Sequence, residues 1–331
     1  MPAATIVLCY PAEPRHIAQI ERTAAAAGLD AQVVDAGQER IAGELANADI
    51  FFGHAKVPVP WDDVVRQGRL KWIQSSAAGM DHCLVPSVVA SDIVITSLSG
   101  VLADQVAEHC VALLTGLLRN LPTFFRQQRE HDFTRRPTRD LHRSTIGIVG
   151  LGGVGRRIAE VLAPFKTRIL ATDYYPIRKP QHVESLWPPE RPGEMLPQVD
   201  ILILSAPLTD QTLGLMNAAT IGKMKPGAVL VNMGRGRMVV ERDLVSALES
   251  GHLAGAAVDV TEIEPLPPDS RLWDQPNVLI TPHVAGQSAR RIDDTTAFFC
   301  DNLVRYAAGR RLRNLLVDKR LGFPPPEAAG E

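Results

Sequence analysis

A glycine-rich run that follows an apolar segment constrains the fold of this chain more than any other feature. The run reads GIVGLGGVG and places Gly150, Gly152 and Gly155 in G-x-G-x-x-G spacing between a predicted strand and a predicted helix. In such a unit the first glycine allows a tight turn, the second lets the backbone approach a pyrophosphate, and the third allows close helix–strand contact. The helix N-terminus adds unpaired N–H groups and the positive end of its dipole. The run therefore predicts a diphosphate site at the start of this helix.

The next predicted strand, at residues 168–172, ends in an acidic residue. Asp173 follows it, 18 residues after Gly155. A carboxylate at this position accepts hydrogen bonds from the ribose diol of an adenosine and repels a 2′-phosphate. The two features together predict a dinucleotide site that prefers NAD (NADH) over NADP. The nearby Arg178 and Lys179 are able to accommodate a phosphate, so the prediction is one of preference.

Three polar residues that follow later apolar strands supply candidate chemistry. Arg235 lies in VNMGRG, Glu264 in DVTEIEP and His283 in TPHVAG. Because the carboxyl ends of parallel strands converge on the ligand crevice of an α/β sheet, we expect the three side chains to meet there. An arginine fork binds a carboxylate at two points, and a histidine exchanges a proton near neutral pH. We expect Glu264 to raise the pKa of His283, which keeps a proton ready for a carbonyl oxygen as hydride arrives at carbon.

Alternating patterns divide the chain into two α/β regions. The first hundred residues carry predicted strands at 5–9, 32–34, 50–53 and 70–74, separated by helical patterns. A second series has predicted strands at 145–149, 168–172, 201–205, 228–232, 256–260 and 278–281. The nearly continuous apolar character of the second series fits central strands covered on both faces.

Two long helical patterns flank the second series. Residues 101–119 place Val106, Cys110 and Leu114 on one helical face, and 289–308 form a pattern that we expect to return from the second domain. If that last helix packs on the first domain, the first domain is discontinuous. Prolines within 174–198 predict mostly loop there, and the arginine-rich stretch 129–145 is also interpreted as a solvated loop.

Composition excludes several classes of protein. The net charge of −2 gives no reason to expect a nucleic-acid or membrane-surface partner, and 45% hydrophobic residues suffice for a sizeable core. We find no membrane-spanning segment or basic leader and expect a cytoplasmic protein. The four cysteines are scattered without C-x-x-C spacing, so we predict no metal site.

The ordered motifs resemble those of the D-isomer-specific 2-hydroxyacid dehydrogenase family. Beside the glycine run, the matching segments are 75–81 (SSAAGMD), 106–109 (VAEH), 207–209 (PLT), 232–236 (NMGRG), 259–267 (DVTEIEPLP) and 281–283 (TPH). The resemblance implies an α/β fold of two doubly wound parallel-sheet domains, with a Rossmann-type NAD domain inserted into a flavodoxin-like substrate domain. We place the substrate domain at 1–100 and 289–322, the NAD domain at 101–288 and a disordered tail at 323–331. A homodimer is also implied.

The resemblance assigns roles to residues that the motifs alone do not. It implies that Arg235, Glu264 and His283 are catalytic and that Ala77, Ala78 and Gly79, together with Arg235, bind the substrate. It implies that the cofactor contacts Gly150, Gly152, Gly155 and Asp173. It adds further cofactor contacts at Gly153, Val154, Ala206, Pro207, Met233, Gly234 and Asp259.

The resemblance leaves the reaction partly open. The leading hypothesis is reversible reduction of a small 2-oxo acid to the D-2-hydroxy acid, with hydroxypyruvate, glyoxylate and 3-phosphohydroxypyruvate as the first candidates. Ser205 stands where many members have a histidine, and Ser97 where an asparagine is frequent; neither touches the proposed acid–base pair. Glu264 in place of glutamine argues against formate oxidation. The alternatives are a phosphite-type dehydrogenase and a dinucleotide-gated interaction protein that resembles the transcriptional corepressors.

Overall fold

The computed structural model describes residues 3–80 and 82–325. The expected disordered tail lies outside the described residues from 326 onward, and so does Asp81 of the SSAAGMD segment. The chain divides into two compact units, Met1–Leu102 with Ser288–Glu331 and Ala103–Gln287.

Each unit is built on one parallel sheet. The first sheet contains β1 (Ala4–Cys9), β2 (Ala31–Asp35), β3 (Ile50–Gly53), β4 (Trp72–Ser75) and β5 (Val94–Thr96). The second contains β6 (Thr145–Val149), β7 (Arg168–Thr172), β8 (Val183–Trp187), β9 (Ile201–Leu204), β10 (Ala228–Asn232), β11 (Leu253–Val258) and β12 (Val278–Ile280).

Helices connect the strands in both units. In chain order they are α1 (Pro14–Ala26), α2 (Gly37–Glu44), α3 (Trp61–Gln67), α4 (Pro86–Ala90), α5 (Ala103–Leu118), α6 (Leu121–Glu130), α7 (Gly153–Leu162), α8 (Pro192–Met195), α9 (Ala218–Ile221), α10 (Glu241–Glu249) and α11 (Arg291–Ala307).

Strand order confirms the predicted fold class. The first sheet has the order β2-β1-β3-β4-β5, which is the flavodoxin-like arrangement. The second has the order β12-β11-β10-β9-β6-β7-β8, which is doubly wound in the Rossmann manner and reverses direction between β6 and β9. In open α/β sheets ligands bind outside the carboxyl ends of the strands at this reversal point. The glycine-rich run follows β6 and therefore lies there.

The C-terminal helix α11 belongs to the first unit. Phe299 of α11 stacks on Phe52 of β3 with ring centroids 4.1 Å apart, and on Trp72 of β4 at 5.3 Å. Stacked aromatic pairs contribute about 0.5–1.5 kcal/mol each beyond the area that they bury. In the same interface the side-chain amide of Asn302 donates to Oε1 of Gln74 at 3.0 Å, so a buried polar pair fixes the position of the helix.

The second sheet is covered on both faces. Ile201 and Ile203 of β9 pack into one apolar cluster with α5 and α7, while Leu202 and Leu204 pack into another on the opposite face. All four side chains are buried. Since neighbouring residues of a strand point to opposite faces, burial on both sides explains the continuous apolar runs of this unit.

The prediction of mostly loop at 174–198 missed a strand. Strand β8 lies within it and pairs with β7 at the edge of the sheet, and α8 and a short 3₁₀ turn follow. The prolines of the segment flank β8 rather than interrupt it, since none occurs between Val183 and Trp187. An edge strand is hydrogen-bonded on one side only, so proline-rich flanks are compatible with it.

Candidate active site

The glycine-rich turn is packed tightly at two of the three glycines of its G-x-G-x-x-G spacing. Gly150 has φ +91°, a left-handed conformation that favours glycine, and a Cβ there would lie 2.6 Å from the Cα of Ala206. A Cβ on Gly155 would lie 2.0 Å from the carbonyl oxygen of Gly150. Both positions therefore require glycine for backbone packing. The close approach at Gly150 brings the turn after β6 into contact with the turn after β9.

Gly152 differs, because a Cβ there would meet nothing within 4 Å. It precedes α7, whose first residues are Gly153 and Val154 and whose opening N–H groups have no acceptor within the helix. Open space in front of these donors, at the positive end of the helix dipole, fits the diphosphate of a dinucleotide. The turn thus supports the fit of a dinucleotide on its exposed side.

Asp173 lies beside this turn at the end of β7. Its carboxylate accepts the N–H of Leu151 at 2.6 Å and that of Tyr175 at 2.8 Å. Burial raises the pKa of Asp173, and the two backbone donors and the nearby Arg156 offset only part of that effect. The guanidinium of Arg156 itself donates to the carbonyl oxygens of Arg178 and Ile177. A partly desolvated carboxylate with further lone pairs is suited to accepting hydroxyl donors such as a ribose diol.

The loop that carries Arg235 is shaped by Asn232 and two glycines. The buried side chain of Asn232 accepts the N–H of Gly234 at 3.1 Å and donates to the carbonyl oxygen of Arg235 at 3.0 Å. A Cβ on Gly234 would lie 2.7 Å from the carbonyl oxygen of Ala206, and one on Gly236 would lie 1.7 Å from that of Thr261. The loop after β10 is therefore wedged between the loops that follow β9 and β11.

Glu264 and His283 are directly paired. Nδ1 of His283 lies 2.8 Å from Oε2 of Glu264, while Oε1 of Glu264 accepts the N–H of Thr261 at 3.2 Å. The His283 side chain is 52% exposed and that of Glu264 is 39% exposed. A carboxylate that accepts from Nδ1 fixes the proton on that nitrogen and directs Nε2 outward as the group for proton exchange.

Asp259 holds the backbone of His283 and of the two residues that follow it. The carboxylate is 2% exposed and accepts the N–H groups of Val284 and Ala285, each at 2.9 Å. Its carbonyl oxygen accepts the N–H of His283 at 2.8 Å. The structure therefore gives Asp259 a set of contacts to the histidine loop that sequence reasoning did not anticipate.

The other predicted cofactor contacts lie in the same strand-end loops. Ala206 and Pro207 follow β9, and Met233 follows β10 and is 9% exposed. The segment predicted to bind the substrate carboxylate lies instead in the first unit, after β4. There the N–H of Ala77 donates to Oγ of Ser75 at 3.0 Å, and Ala78 and Gly79 follow.

Sequence reasoning missed the side chains that hold the site together. Oγ1 of Thr261 donates to the carbonyl oxygen of Ile263 at 2.8 Å in the Glu264 loop, and Asn232 binds the Arg235 loop. Thr281 donates to Oδ1 of Asp259 at 2.6 Å. Their signal in the sequence is their position one to three residues after, or at, the end of an apolar strand, where short polar side chains commonly bind neighbouring backbone groups.

The doubly wound sheet, its glycine-rich turn and the paired carboxylate and imidazole define a dinucleotide-dependent oxidoreductase. Residues 111–285 match the family model described as D-isomer specific 2-hydroxyacid dehydrogenase, NAD binding domain. The chain belongs to this family.

Individual relatives agree with the family assignment. An uncharacterised protein from the proB 3′ region of Corynebacterium melassecola is 33% identical over 85% of this chain and 92% of its own length. A glyoxylate reductase of Thermofilum pendens is 34% identical over 76% of each chain. The crystal structure of a D-isomer specific 2-hydroxyacid dehydrogenase from Xanthobacter autotrophicus Py2, in complex with NADPH and MES, has a TM-score of 0.80 at 28% identity, with 96% of this chain and 99% of that chain covered.

Within 3–80 and 82–325, no helix combines the length and the apolar character that crossing a bilayer requires.

Proposed function

We propose that the protein catalyses the reversible NAD(H)-dependent reduction of a small 2-oxo acid to its D-2-hydroxy acid. The observation that carries this proposal is the 2.8 Å pairing of His283 with Glu264 at the strand ends of a dinucleotide-binding sheet. When bound, NADH supplies the hydride. His283 gives a proton to the substrate carbonyl oxygen from Nε2 and takes it back in the reverse direction. Glu264 stabilises the imidazolium by accepting from Nδ1.

Arg235 is proposed to bind the substrate carboxylate and carbonyl through its guanidinium. The backbone of Arg235 is extended, and the side chain of Asn232 donates to its carbonyl oxygen. The backbone from which the Arg235 side chain extends is therefore fixed. We propose that backbone N–H groups of segment 77–79 also bind the carboxylate. Because the Ala77 N–H is engaged with Ser75, Ala78 and Gly79 are the stronger donors of that segment.

We propose NAD(H) as the preferred cofactor. Asp173 supports this because its carboxylate favours a ribose diol and repels a 2′-phosphate. The guanidinium of Arg156, which lies near Asp173, is bound to two backbone carbonyl oxygens rather than directed at an open site. The NADPH in the Xanthobacter structure makes the comparison of both cofactors necessary. We expect kcat/KM to be at least about tenfold higher with NADH than with NADPH; the reverse order would overturn the preference.

Among substrates, glyoxylate and hydroxypyruvate come first and 3-phosphohydroxypyruvate next. The similarity to a protein named glyoxylate reductase supports the first of these. Selection depends on the side chains of the first-unit loops around 54–60 and 75–79, which follow β3 and β4.

We also propose a homodimer. Phe133 is fully exposed and Phe125 of α6 is 58% exposed, so a single chain leaves two large apolar side chains in water. Light scattering coupled to size exclusion should give about twice the 36.0 kDa chain mass. We expect Phe133→Ser to shift the protein toward monomer. A wild-type mass equal to that of one chain would contradict the proposal.

The experiment that tests the proposed reaction follows NADH absorbance with a panel of 2-oxo acids. His283→Ala should bind NADH but lose about 10²- to 10⁴-fold in turnover, the usual contribution of general acid–base catalysis. His142→Ala, at an exposed position before β6, is the matched control and should retain activity. Undiminished turnover in His283→Ala would remove His283 from the mechanism. NADH binding without turnover on any 2-oxo acid would favour the dinucleotide-gated interaction protein.

A further inference from the structure

A chain of side-chain hydrogen bonds links helix α5 to the loop of His283. Nε2 of His109 lies 2.9 Å from Oγ1 of Thr281, and that hydroxyl donates to Oδ1 of Asp259 at 2.6 Å. Nε2 of His109 is also 3.5 Å from the same carboxylate oxygen. The three residues come from α5, the end of β12 and the end of β11, so the chain connects elements that are far apart in sequence.

The direction of this chain follows from the donors available. A threonine hydroxyl has one proton, and the Thr281 hydroxyl uses its proton in the hydrogen bond to Asp259. Thr281 therefore only accepts from His109, which requires a proton on Nε2 of that imidazole. The chain runs from the His109 N–H to the Thr281 hydroxyl and ends on the buried carboxylate of Asp259.

That carboxylate fixes a backbone conformation which the histidine loop would not adopt by itself. His283 has φ +53°, in the left-handed region that costs a residue other than glycine about 1 kcal/mol or more. Its N–H is held by the carbonyl oxygens of Asp259 and Thr281, while the Asp259 side chain binds the next two N–H groups. Such a conformation persists when its surroundings over-determine it.

We propose that His109 is a positioning residue for His283, acting through Thr281 and Asp259. The inference rests on the proposed function, since it concerns the placement of the proposed proton donor. When Nε2 of His109 donates to the Thr281 hydroxyl, that hydroxyl has one partner as acceptor and one as donor. Its own proton therefore stays directed at Asp259. Without that donor Thr281 is free to rotate, the carboxylate loses a fixed partner, and the His283 loop gains alternative conformations.

Two substitutions separate the hydrogen bond from simple packing. His109→Leu fills part of the same space without a donor, whereas the amide of His109→Gln reaches the position of Nε2 and keeps one. We expect His109→Leu to lower kcat about tenfold, because misplacement of a reacting group is costly. We expect His109→Gln to stay within about threefold of the wild type, since it preserves the bond.

A control variant and a double variant test the proposed hydrogen-bond chain further. Asp104→Asn changes another polar contact of α5, its ion pair with Arg157, and should leave kcat unchanged. His109→Leu combined with Thr281→Val should be no slower than the slower single variant, since both break the same chain. Equal losses in His109→Leu and His109→Gln that track their melting temperatures, or full activity in His109→Leu, would overturn the proposal.

A measurement on the wild-type protein without substrate decides the matter independently of turnover. Imidazole ¹⁵N shifts in protein labelled at its nine histidines should show His109 protonated on Nε2. A neutral Nδ1–H form would overturn the proposal even if the enzyme is active. If no 2-oxo acid is turned over, the His283 imidazole resonances of His109→Leu and His109→Gln still report the positioning. They should shift in the first variant and stay near the wild-type values in the second, and a resonance unmoved in both would contradict the proposal.

Discussion

Nδ1 of His283 lies 2.8 Å from Oε2 of Glu264, although the two residues are 19 positions apart and follow different strands. The other carboxylate oxygen of Glu264 accepts the N–H of Thr261, which fixes the carboxylate in place. A group that only accepts therefore orients the imidazole by fixing the proton on Nδ1.

Replacing Glu264 by glutamine tests the charge separately from the hydrogen bond. The amide oxygen of Glu264→Gln is able to accept from Nδ1, but it does not balance an imidazolium. We expect kcat for reduction to fall about 10-fold or more, because the proton donor loses its ionic partner.

The measurement is a pH–rate profile of the wild type and Glu264→Gln under saturating substrate. Glu262→Gln is the matched control, since Glu262 lies in the same loop and accepts the N–H of Glu241 instead. A profile for Glu264→Gln that coincides with the wild type would show that the charge plays no part.

The glycines of the turn give a second prediction, in which stability and cofactor binding separate. Gly155→Ala brings a Cβ to 2.0 Å from the Gly150 carbonyl oxygen, so the turn must shift and the protein should lose about 1–3 kcal/mol of stability. Gly152→Ala meets nothing within 4 Å and should leave the melting temperature nearly unchanged. It should nevertheless weaken NADH binding about tenfold or more, since the methyl group occupies the space proposed for the diphosphate.

Thermal unfolding and NADH titration of both variants check this. Gly193→Ala, which also meets nothing within 4 Å but lies at α8, is the control for an added methyl group. Unchanged NADH affinity in Gly152→Ala would mean that the diphosphate is bound elsewhere.

Much of the second sheet was predictable because its strands are buried on both faces. The strand bounds 145–149, 168–172 and 228–232 agree with β6, β7 and β10. The convergence of Glu264 and His283 follows from the same rule, that polar residues after parallel strands share one edge, while the roles of both residues stay predictions. Strand β8 was not predicted because the apolar periodicity of an edge strand is weak, and its proline-rich flanks indicated loop.

The contacts that order the site were not predictable in the same way. His109 and Thr281 are 172 positions apart, and nothing local in either segment indicates that they meet. The engagement of Ala77 with Ser75 is local, but it depends on the rotamer of a buried serine. A single sequence gives strand ends and periodicity, whereas such contacts depend on how the elements pack.

Asp173 gives a prediction about pH in which stability and binding have opposite signs. Burial raises the pKa of Asp173 above the ordinary 3.8, so its ionised form is disfavoured in the folded chain. A group with a raised pKa contributes stability that is present below its unfolded pKa and lost as pH rises through the folded one. Without cofactor, the wild type should therefore gain stability relative to Asp173→Asn as the pH falls from 7 toward 4.

NADH should reverse this trend, because the ribose diol binds the ionised carboxylate. We expect the stabilisation of the wild type by a fixed NADH concentration to shrink as the pH falls, and Asp173→Asn to gain little from NADH at any pH. Chemical denaturation at several pH values, with and without NADH, measures both effects. Equal stabilisation of the wild type and Asp173→Asn by NADH would exclude Asp173 from the cofactor site.

His82 gives the last prediction, for the first unit. Its ring stacks on that of His54 with centroids 3.9 Å apart, and among the described residues neither ring nitrogen of His82 has a hydrogen-bond partner. Burial lowers the pKa of His82 to about 3, and the adjacent His54 adds to this. The unfolded chain takes up the proton near 6.5, so this part of the stability is present above pH 6.5 and is lost as the pH falls toward 3.

His82→Phe keeps a stacked ring but does not titrate. From pH 6.5 to 4.5 the wild type should lose up to about 1.4 kcal/mol of unfolding free energy per pH unit more than this variant does, and less where solvent screens the ring. Urea unfolding at pH 7.5, 6, 5 and 4.5 measures the difference, with the exposed His142→Gln as a control that should follow the wild type. If the wild type and His82→Phe lose stability in parallel, His82 takes up its proton in the folded chain as readily as in the unfolded one, and its environment does not disfavour the charged ring.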